Sequence, residues 1–178
     1  MLTACSKSAD ITQTQTAKPD TTTEQTLLVD ESRLSIYHGV DLTSDLSHLS
    51  DNQHKMLSLL IDASKIMDDL FWKQAFFEDK DAFLSSISDE KVRHFAAINY
   101  GPWDRLNGDT PFLSGYEDKS LGAEFYPHDM EKEEFATADF GDKQGLYSMV
   151  KRDEAGNLYS VPYSEAFKSE LMKASDLL

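Results

Sequence analysis

A long amphipathic helix is predicted by residues 50–77, which read SDNQHKMLSLLIDASKIMDDLFWKQAFF. Ser50 and Gln53 have the spacing of a capping box, in which each side chain accepts a hydrogen bond from the other residue's backbone N–H. The apolar residues that follow recur every three or four positions, which places them on one helix face; they are Met56, Leu59, Leu60, Ala63, Ile66, Met67, Leu70 and Phe71. We expect this face to be buried, and the aromatic cluster that follows to be core: Phe71, Trp72, Phe76 and Phe77.

Two further helices are expected directly after this one, over residues 79–85 and 88–98. Asp89 and Glu90 fall in the first turn of the second, where negative charge complements the helix dipole. Before residue 50, a short extended piece is predicted from three nearby residues, Leu34, Ile36 and Tyr37.

The clearest β signal is a hairpin near the end of the chain. Residues 147–150 read YSMV and residues 158–161 read LYSV, and these two runs flank a five-residue loop at 153–157 that contains glycine. Asp129 is expected to cap a short acidic helix that ends near residue 137, and Ser164 to cap a last helix with an apolar stripe made of Phe167, Leu171, Ala174 and Leu178. The patterns predict an α+β fold, mainly helical, with this hairpin near the C-terminus.

The chain is strongly acidic, with 32 Asp and Glu against 17 Lys and Arg among 178 residues and a formal charge of −15. Nucleic-acid binding needs a basic surface, so this balance argues against a nucleic acid as partner. The single cysteine excludes an intramolecular disulfide and a zinc site made of several cysteines.

The N-terminus reads MLTAC, which resembles a bacterial lipobox ending at Cys5, although the charged and apolar regions of a signal peptide are missing. Two interpretations are open: Cys5 is the lipid-bearing mature N-terminus of a longer reading frame, or it is an ordinary exposed thiol. Residues 12–26 are rich in Thr and Gln and too polar to form a core. We therefore expect residues 1–26 to be a lipobox remnant and disordered tether, and residues 27–178 to fold.

Residues 100–127 are predicted to be a long loop, because Gly and Pro interrupt them every few positions. Aromatic residues are nonetheless frequent in it. A long loop with this composition either packs tightly on the domain or presents a binding surface.

Several strings in and after this loop resemble the N-terminal region of bacterial dipeptidyl-peptidase III-like zinc metallopeptidases. They are YGPWDRL at 100–106, GAEFYPHDM at 122–130, KEEF at 132–135 and VPYSEAF at 161–167. The resemblance covers residues 50–178. It implies a larger two-lobed, mostly helical hydrolase that releases dipeptides from the amino end of peptides, with zinc as cofactor.

That family's zinc is implied to be held by an HExxxH helix and a later glutamate, beyond the matched region. None of the five histidines here is followed by glutamate, so the motif is absent. We expect this chain to bind no zinc and to be inactive alone. The three aspartates of the long helix, Asp62, Asp68 and Asp69, are better explained as solvated charge than as metal ligands. A catalytic carboxylate dyad of Asp104 and Asp129 is also disfavoured, because such pairs arise by chance in a chain with 32 acidic residues.

Three hypotheses for function remain open. The first is the N-terminal, non-catalytic part of a membrane-anchored metallopeptidase in the bacterial cell envelope, held by lipid on Cys5 and facing the periplasm or the exterior. The second is a non-catalytic surface lipoprotein that binds a peptide or protein. The third is an inactive truncated gene product. The apolar pattern of the last helix runs to the final residue, which favours a piece of a larger fold.

Four residues of the loop region are candidate contacts to a peptide substrate or cleft: Tyr100, Trp103, Arg105 and Tyr126. The guanidinium of Arg105 has the planar fork that matches a peptide carboxylate. The competing interpretation of Arg105 is an ion pair with Asp104 or a bond to a loop carbonyl. The competing interpretation of Trp103 is a buried anchor.

Overall fold

The computed structural model describes residues 25–178. It is about 47% helical with two antiparallel sheets of two strands each, which confirms the predicted fold class. The helices are α1 Asp51–Ala75, α2 Lys80–Ser86, α3 Glu90–Asn99, α4 Lys132–Thr137, α5 Tyr163–Ala166 and α6 Lys168–Leu177. The strands are β1 Trp103–Asp104, β2 Thr110–Pro111, β3 Ser148–Arg152 and β4 Leu158–Pro162, and short 3-10 turns occupy Glu31–Ser35, Arg105–Asn107 and Ala123–Phe125.

The capping box of α1 is confirmed. The Gln53 backbone N–H donates to Ser50 Oγ over 3.4 Å, and the Ser50 N–H donates to Gln53 Oε1 over 2.9 Å. The hairpin is confirmed as well, with Ser148 opposite Pro162 and Arg152 opposite Leu158. Both features were predictable because they depend on residues only a few positions apart.

The main core forms where the C-terminal end of α1 meets α2, α3 and the loop at residues 100–127, which we call the aromatic loop. Its buried members are largely aromatic: Trp72, Phe76, Phe83, Ile87, Val92, Phe95, Ala96, Trp103, Phe112 and Leu113. Ring contacts run through this core, for example Phe76 to Phe83 at 4.6 Å and Phe95 to Phe112 at 4.9 Å between centroids. Burial on this scale supplies most of the free energy that holds the loop on the helices.

A second, smaller core joins α1 to the hairpin and the last helices. Leu70, Met149 and Phe167 are its buried residues. At its edge, Lys73 Nζ of α1 lies 2.5 Å from Glu170 Oε1 of α6. The long helix therefore has neighbours on two sides, which is why Trp72 and Leu70 are both buried although they point in different directions.

The predicted buried face of α1 is only partly covered, which corrects the expectation. Ala63 and Leu70 are buried, but Met56, Leu60, Met67 and Phe71 are 40–52% exposed. These four residues are separated by four, seven and four positions, so they form a single stripe along the helix; we call them the α1 stripe. Among residues 25–178, Tyr100 and Arg105 contact the Phe71 end of the stripe, and no residue buries Met56, Leu60 or Met67.

Three local predictions were wrong at helix ends. Asp89 is the N-cap of α3 and not part of its first turn, since its Oδ1 accepts from the Lys91 and Val92 N–H groups. Asp129 does not cap α4, because its carboxylate pairs with Arg152 at 3.0 Å. Ser164 lies inside α5, whose N-cap is Pro162, and the backbone breaks before α6 at the buried Phe167.

The first described residues also differ from expectation. Residues 31–35 form a 3-10 turn and not an extended piece, because the Asp30 side chain accepts from the Ser32 N–H and stabilises a turn. Gln25 and Thr26, assigned to the tether, lie on the fold: Ser114 and Thr26 exchange hydrogen bonds, and Gln25 Nε2 reaches the Tyr116 hydroxyl.

Cys5 and the remaining part of the predicted tether lie outside the described residues. Across residues 25–178, no helix combines the length and the apolar character that crossing a membrane requires.

Candidate functional site

The aromatic loop begins with an unusual backbone conformation. Tyr100 ends α3 in the left-handed region, with φ 54° and ψ 46°, and Gly101 follows at φ 140°. A non-glycine residue in this region costs about 1 kcal/mol, so surrounding contacts must hold it. Pro102 then fixes the direction in which the chain leaves the helix.

The loop is held by Asn99, which is 2% exposed. Its Nδ2 donates to the Phe95 carbonyl over 2.9 Å, while its Oδ1 accepts from both the Tyr37 hydroxyl and the Arg105 backbone N–H at 3.0 Å. One buried amide therefore fixes the helix end, the N-terminal segment and the turn that carries Arg105. Sequence reasoning missed Asn99, because its three partners lie up to 62 positions away.

Tyr100 and Arg105, two of the four candidate contacts, lie together. The Arg105 Cζ is 5.2 Å from the centroid of the Phe71 ring and 5.3 Å from that of the Tyr100 ring. The two rings meet edge to face, with centroids 4.6 Å apart. We call this arrangement of Phe71, Tyr100 and Arg105 the guanidinium platform. Such contacts orient a cation without consuming its hydrogen-bond donors.

Acidic and basic side chains hold the hydroxyl end of Tyr100. The Tyr100 hydroxyl donates to Asp68 Oδ1 over 2.5 Å, and Lys80 Nζ lies 2.7 Å from Asp69 and 3.4 Å from Asp68. The hydrogen bond to Asp68, with a contribution from burial, raises the pKa of the Tyr100 phenol above its usual value. The ring is therefore neutral at physiological pH and available to stack.

Asp104 is not the partner of Arg105. Its buried carboxylate accepts hydrogen bonds from Arg33, with Nε 2.5 Å from Oδ2 and Nη2 3.1 Å from Oδ1. The ion pair weighed from the sequence is therefore absent for Arg105. No carboxylate among residues 25–178 forms an ion pair with the Arg105 guanidinium.

The other two candidates lie elsewhere in the fold. Trp103 is 7% exposed, and its Nε1–H donates to the Glu117 carbonyl over 2.9 Å. Tyr126 is partly buried and packs edge to face on Phe135, with centroids 5.7 Å apart. Trp103 thus has the position of a buried anchor, and Tyr126 belongs to the packing of α4.

One edge of Trp103 faces a half-open cavity of about 450 Å³ between the end of α1 and the loop. The aromatic side chains of Phe77 and Tyr116 also line this cavity, and burial raises the pKa of Tyr116 to about 12. At the rim, His128 Nδ1 lies 3.0 Å from Ser120 Oγ and its Nε2 lies 3.3 Å from Glu124 Oε2. These contacts connect the ends of the 120–128 segment.

Residues 25–178 contain no group of three His, Cys, Asp or Glu side chains that could hold a metal ion. Asp62 pairs with Lys65, while Asp68 and Asp69 share Lys80. Asp104 and Asp129 have separate arginine partners and form no dyad. The donors in this part of the chain therefore do not fit a zinc site.

This chain is similar in sequence or in fold to several known proteins. No protein-family model matches the chain. It is 29% identical to Nudix hydrolase 3 of Arabidopsis thaliana over an aligned length of 217 residues, which cover 88% of this chain and 28% of the relative.

Two solved structures are similar to the fold itself. Dipeptidyl peptidase III from Caldithrix abyssi matches at 34% identity with a TM-score of 0.69, covering 75% of this chain and 27% of that protein. Dipeptidyl-peptidase III from Corallococcus sp. strain EGB matches at 28% identity with a TM-score of 0.73, covering 82% and 30%. The chain spans 27–30% of the length of these three proteins. It is therefore similar in sequence and in fold to one portion of bacterial dipeptidyl peptidase III.

Proposed function

We propose that this chain is the N-terminal, non-catalytic part of a membrane-anchored dipeptidyl-peptidase III-like zinc metallopeptidase. In the whole protein it supplies a peptide-facing surface, and a portion beyond this chain supplies zinc and hydrolysis. The single observation that carries the proposal is the match in fold to two bacterial dipeptidyl peptidase III structures, with TM-scores of 0.69 and 0.73. The name of the Arabidopsis relative describes a different hydrolase, and this chain aligns with 28% of it.

The exposed α1 stripe supports a larger assembly. Met56, Leu60, Met67 and Phe71 lie on one side of α1, and the two cores cover that helix near its C-terminal end, at Leu70 and Trp72. A contiguous exposed apolar surface is a common sign of an interaction site. Since the matched structures are more than three times as long as the portion this chain covers, we assign the N-terminal half of the stripe, Met56 and Leu60, to contact with the rest of such a fold.

The peptide-facing role is assigned to the aromatic loop. The buried Asn99 and Trp103 hold the loop rigidly, and the guanidinium platform remains at its surface. Rigid positioning of an exposed cation on packed rings is what a binding site requires. Anchoring to the membrane is assigned to lipid on Cys5, from the lipobox-like sequence alone.

Co-expression of this chain with the rest of a dipeptidyl peptidase III tests the proposal. The partner is the Corallococcus enzyme without the segment equivalent to residues 25–178, and the measurement is dipeptide release from a peptide with a free N-terminus. We expect release only when both pieces are present. Absence of association between two folded pieces would contradict the proposal.

Substitutions in the stripe sharpen this experiment. The double change Met56→Asp and Leu60→Asp places charge in the stripe and should abolish association. Leu42→Asp is the matched control, because Leu42 is 93% exposed and lies outside the stripe. If the control weakens association as much as the double variant does, the stripe is not the contact surface.

A further inference from the structure

We propose that Arg105 binds the C-terminal carboxylate of a short peptide whose last side chain is apolar. The inference rests on the proposed function for the class of ligand, a peptide. It goes further in assigning one end of that ligand to one residue, and it concerns binding to this chain and not hydrolysis.

The first argument is that Arg105 is preorganised. Its backbone N–H is held by the buried Asn99 at 3.0 Å, and its Cζ lies within 5.3 Å of two ring centroids. Because the side chain is already ordered, binding loses less rotamer entropy than it would at a free surface arginine. Aromatic rings satisfy the cation electrostatically but provide no strong acceptor for its N–H donors.

The second argument concerns the carboxylates that surround this guanidinium. Asp104 adjoins it in sequence, yet both Asp104 oxygens are taken by Arg33. Asp68, at the hydroxyl end of Tyr100, accepts from the Tyr100 hydroxyl and pairs with Lys80. Within residues 25–178 no acid forms an ion pair with Arg105, although the chain carries a formal charge of −15.

The third argument is the apolar surface beside the cation. Phe71 is 40% exposed and Met67, one helical turn before it, is 41% exposed. Leu106 follows Arg105 directly and is 68% exposed. A carboxylate that reaches the arginine fork therefore brings the neighbouring side chain of its ligand onto apolar atoms. A peptide ending in Leu or Phe carries both groups on its last residue.

Binding to the whole 178-residue chain tests the inference with two probes. One is acetyl-Ala-Ala-Leu with a free carboxylate, and the other is the same peptide with a C-terminal amide. The readouts are the affinity and the NMR resonance of the Arg105 Nε–H group. We expect the acid to shift this resonance and to bind at least tenfold more tightly than the amide, because bidentate charge-assisted bonds are stronger than neutral ones.

Three variants complete the test. Arg105→Gln should weaken binding of the acid at least tenfold, and Arg105→Lys should weaken it less, because Lys keeps the charge but lacks the fork. Lys91→Gln is the matched control, since it removes one positive charge from an exposed position of α3 and should leave the affinity unchanged.

The inference is overturned if acid and amide bind equally, if Arg105→Gln binds like the unchanged chain, or if about 10 mM acid leaves the Arg105 resonance in place, which corresponds to negligible affinity. These outcomes are separate from the co-expression experiment. Dipeptide release by the assembled pieces with no binding at Arg105 would reject this inference alone, whereas failed assembly with retained acid binding would reject the proposed function alone.

Discussion

Asp104 and Arg33, 71 positions apart, form a two-bond ion pair in which the carboxylate is fully buried and the guanidinium is about one-third exposed. The hydrogen bond to Asp104 raises the pKa of Arg33 further above its already high usual value. Asp104 Oδ1 also accepts from the Leu106 N–H and so shapes the turn that carries Arg105. The pair thus joins the N-terminal segment to the candidate site.

Removal of the buried carboxylate should destabilise the fold. We expect Asp104→Ala to lower the free energy of unfolding by about 2–4 kcal/mol, because the variant leaves the Arg33 donors and the Leu106 N–H without their acceptor. Denaturant unfolding measures the change. Asp118→Asn, at an exposed position of the same loop, is the control and should stay within about 0.5 kcal/mol of the unchanged chain. Equal effects of the two substitutions would show that the pair is unimportant.

Two adjacent phenylalanines should respond very differently to truncation. Phe76 is 1% exposed at the centre of the main core, whereas Phe77 is 55% exposed at the rim of the cavity. Phe76→Ala should cost about 3–5 kcal/mol of stability through lost burial and the cavity left behind. Phe77→Ala should cost less than about 1 kcal/mol. Thermal unfolding of both variants measures this difference, and similar midpoint temperatures would contradict the placement of Phe76 inside the main core and of Phe77 outside it.

The contact between Lys73 and Glu170 gives stability a pH dependence. The hydrogen bond from Lys73 lowers the pKa of Glu170 from its ordinary 4.5 to about 2. A folded-state pKa below the unfolded value means that the pair stabilises the fold fully at pH values above about 4.5, and that this contribution shrinks as the pH falls and is lost below about pH 2.

Glu170→Gln isolates that contribution. Since Lys73 is 55% exposed, we expect a loss of only about 0.5–1 kcal/mol at pH 7, and a clearly smaller difference from the unchanged chain near pH 2. Unfolding curves at both pH values provide the comparison. A difference that persists undiminished at low pH would mean that the variant acts through packing and not through charge.

The α1 stripe should be dispensable for folding but not for surface behaviour. Replacing Met56, Leu60 and Met67 by Gln should leave the melting temperature nearly unchanged, because these side chains are 41–52% exposed. The same change should reduce binding of a hydrophobic dye and any concentration-dependent self-association. A large fall in melting temperature would indicate that the stripe is covered within this chain.

The structural features that the sequence predicted correctly are local ones. Ser50 with Gln53 and the 153–157 turn act over a few residues, so their outcome does not depend on the rest of the fold. Asp129 has the right type for a helix cap, but a charged partner 23 positions later, Arg152, takes its carboxylate. Apolar periodicity located the α1 stripe correctly on one face, yet periodicity alone does not tell whether the covering residues belong to the same chain.

The candidate site required long-range information. Tyr100 and Arg105 could be named from the loop sequence, but Phe71, which completes the guanidinium platform, lies on a helix 34 positions before Arg105. Trp103 and Tyr126 share the same loop and point into different parts of the fold, because each follows its own packing partners. Residue type therefore indicated four candidate contacts, and tertiary packing brought only Tyr100 and Arg105 together.

A single-chain chimera provides the sharpest test of the proposed peptidase role. Residues 25–178 replace the equivalent segment of the Corallococcus dipeptidyl-peptidase III, and dipeptide release from peptides with a free N-terminus is measured. We expect the chimera to release dipeptides and to lose this activity when zinc is chelated. A folded chimera that retains zinc and releases no dipeptide would show that this chain does not perform the role of the segment it resembles.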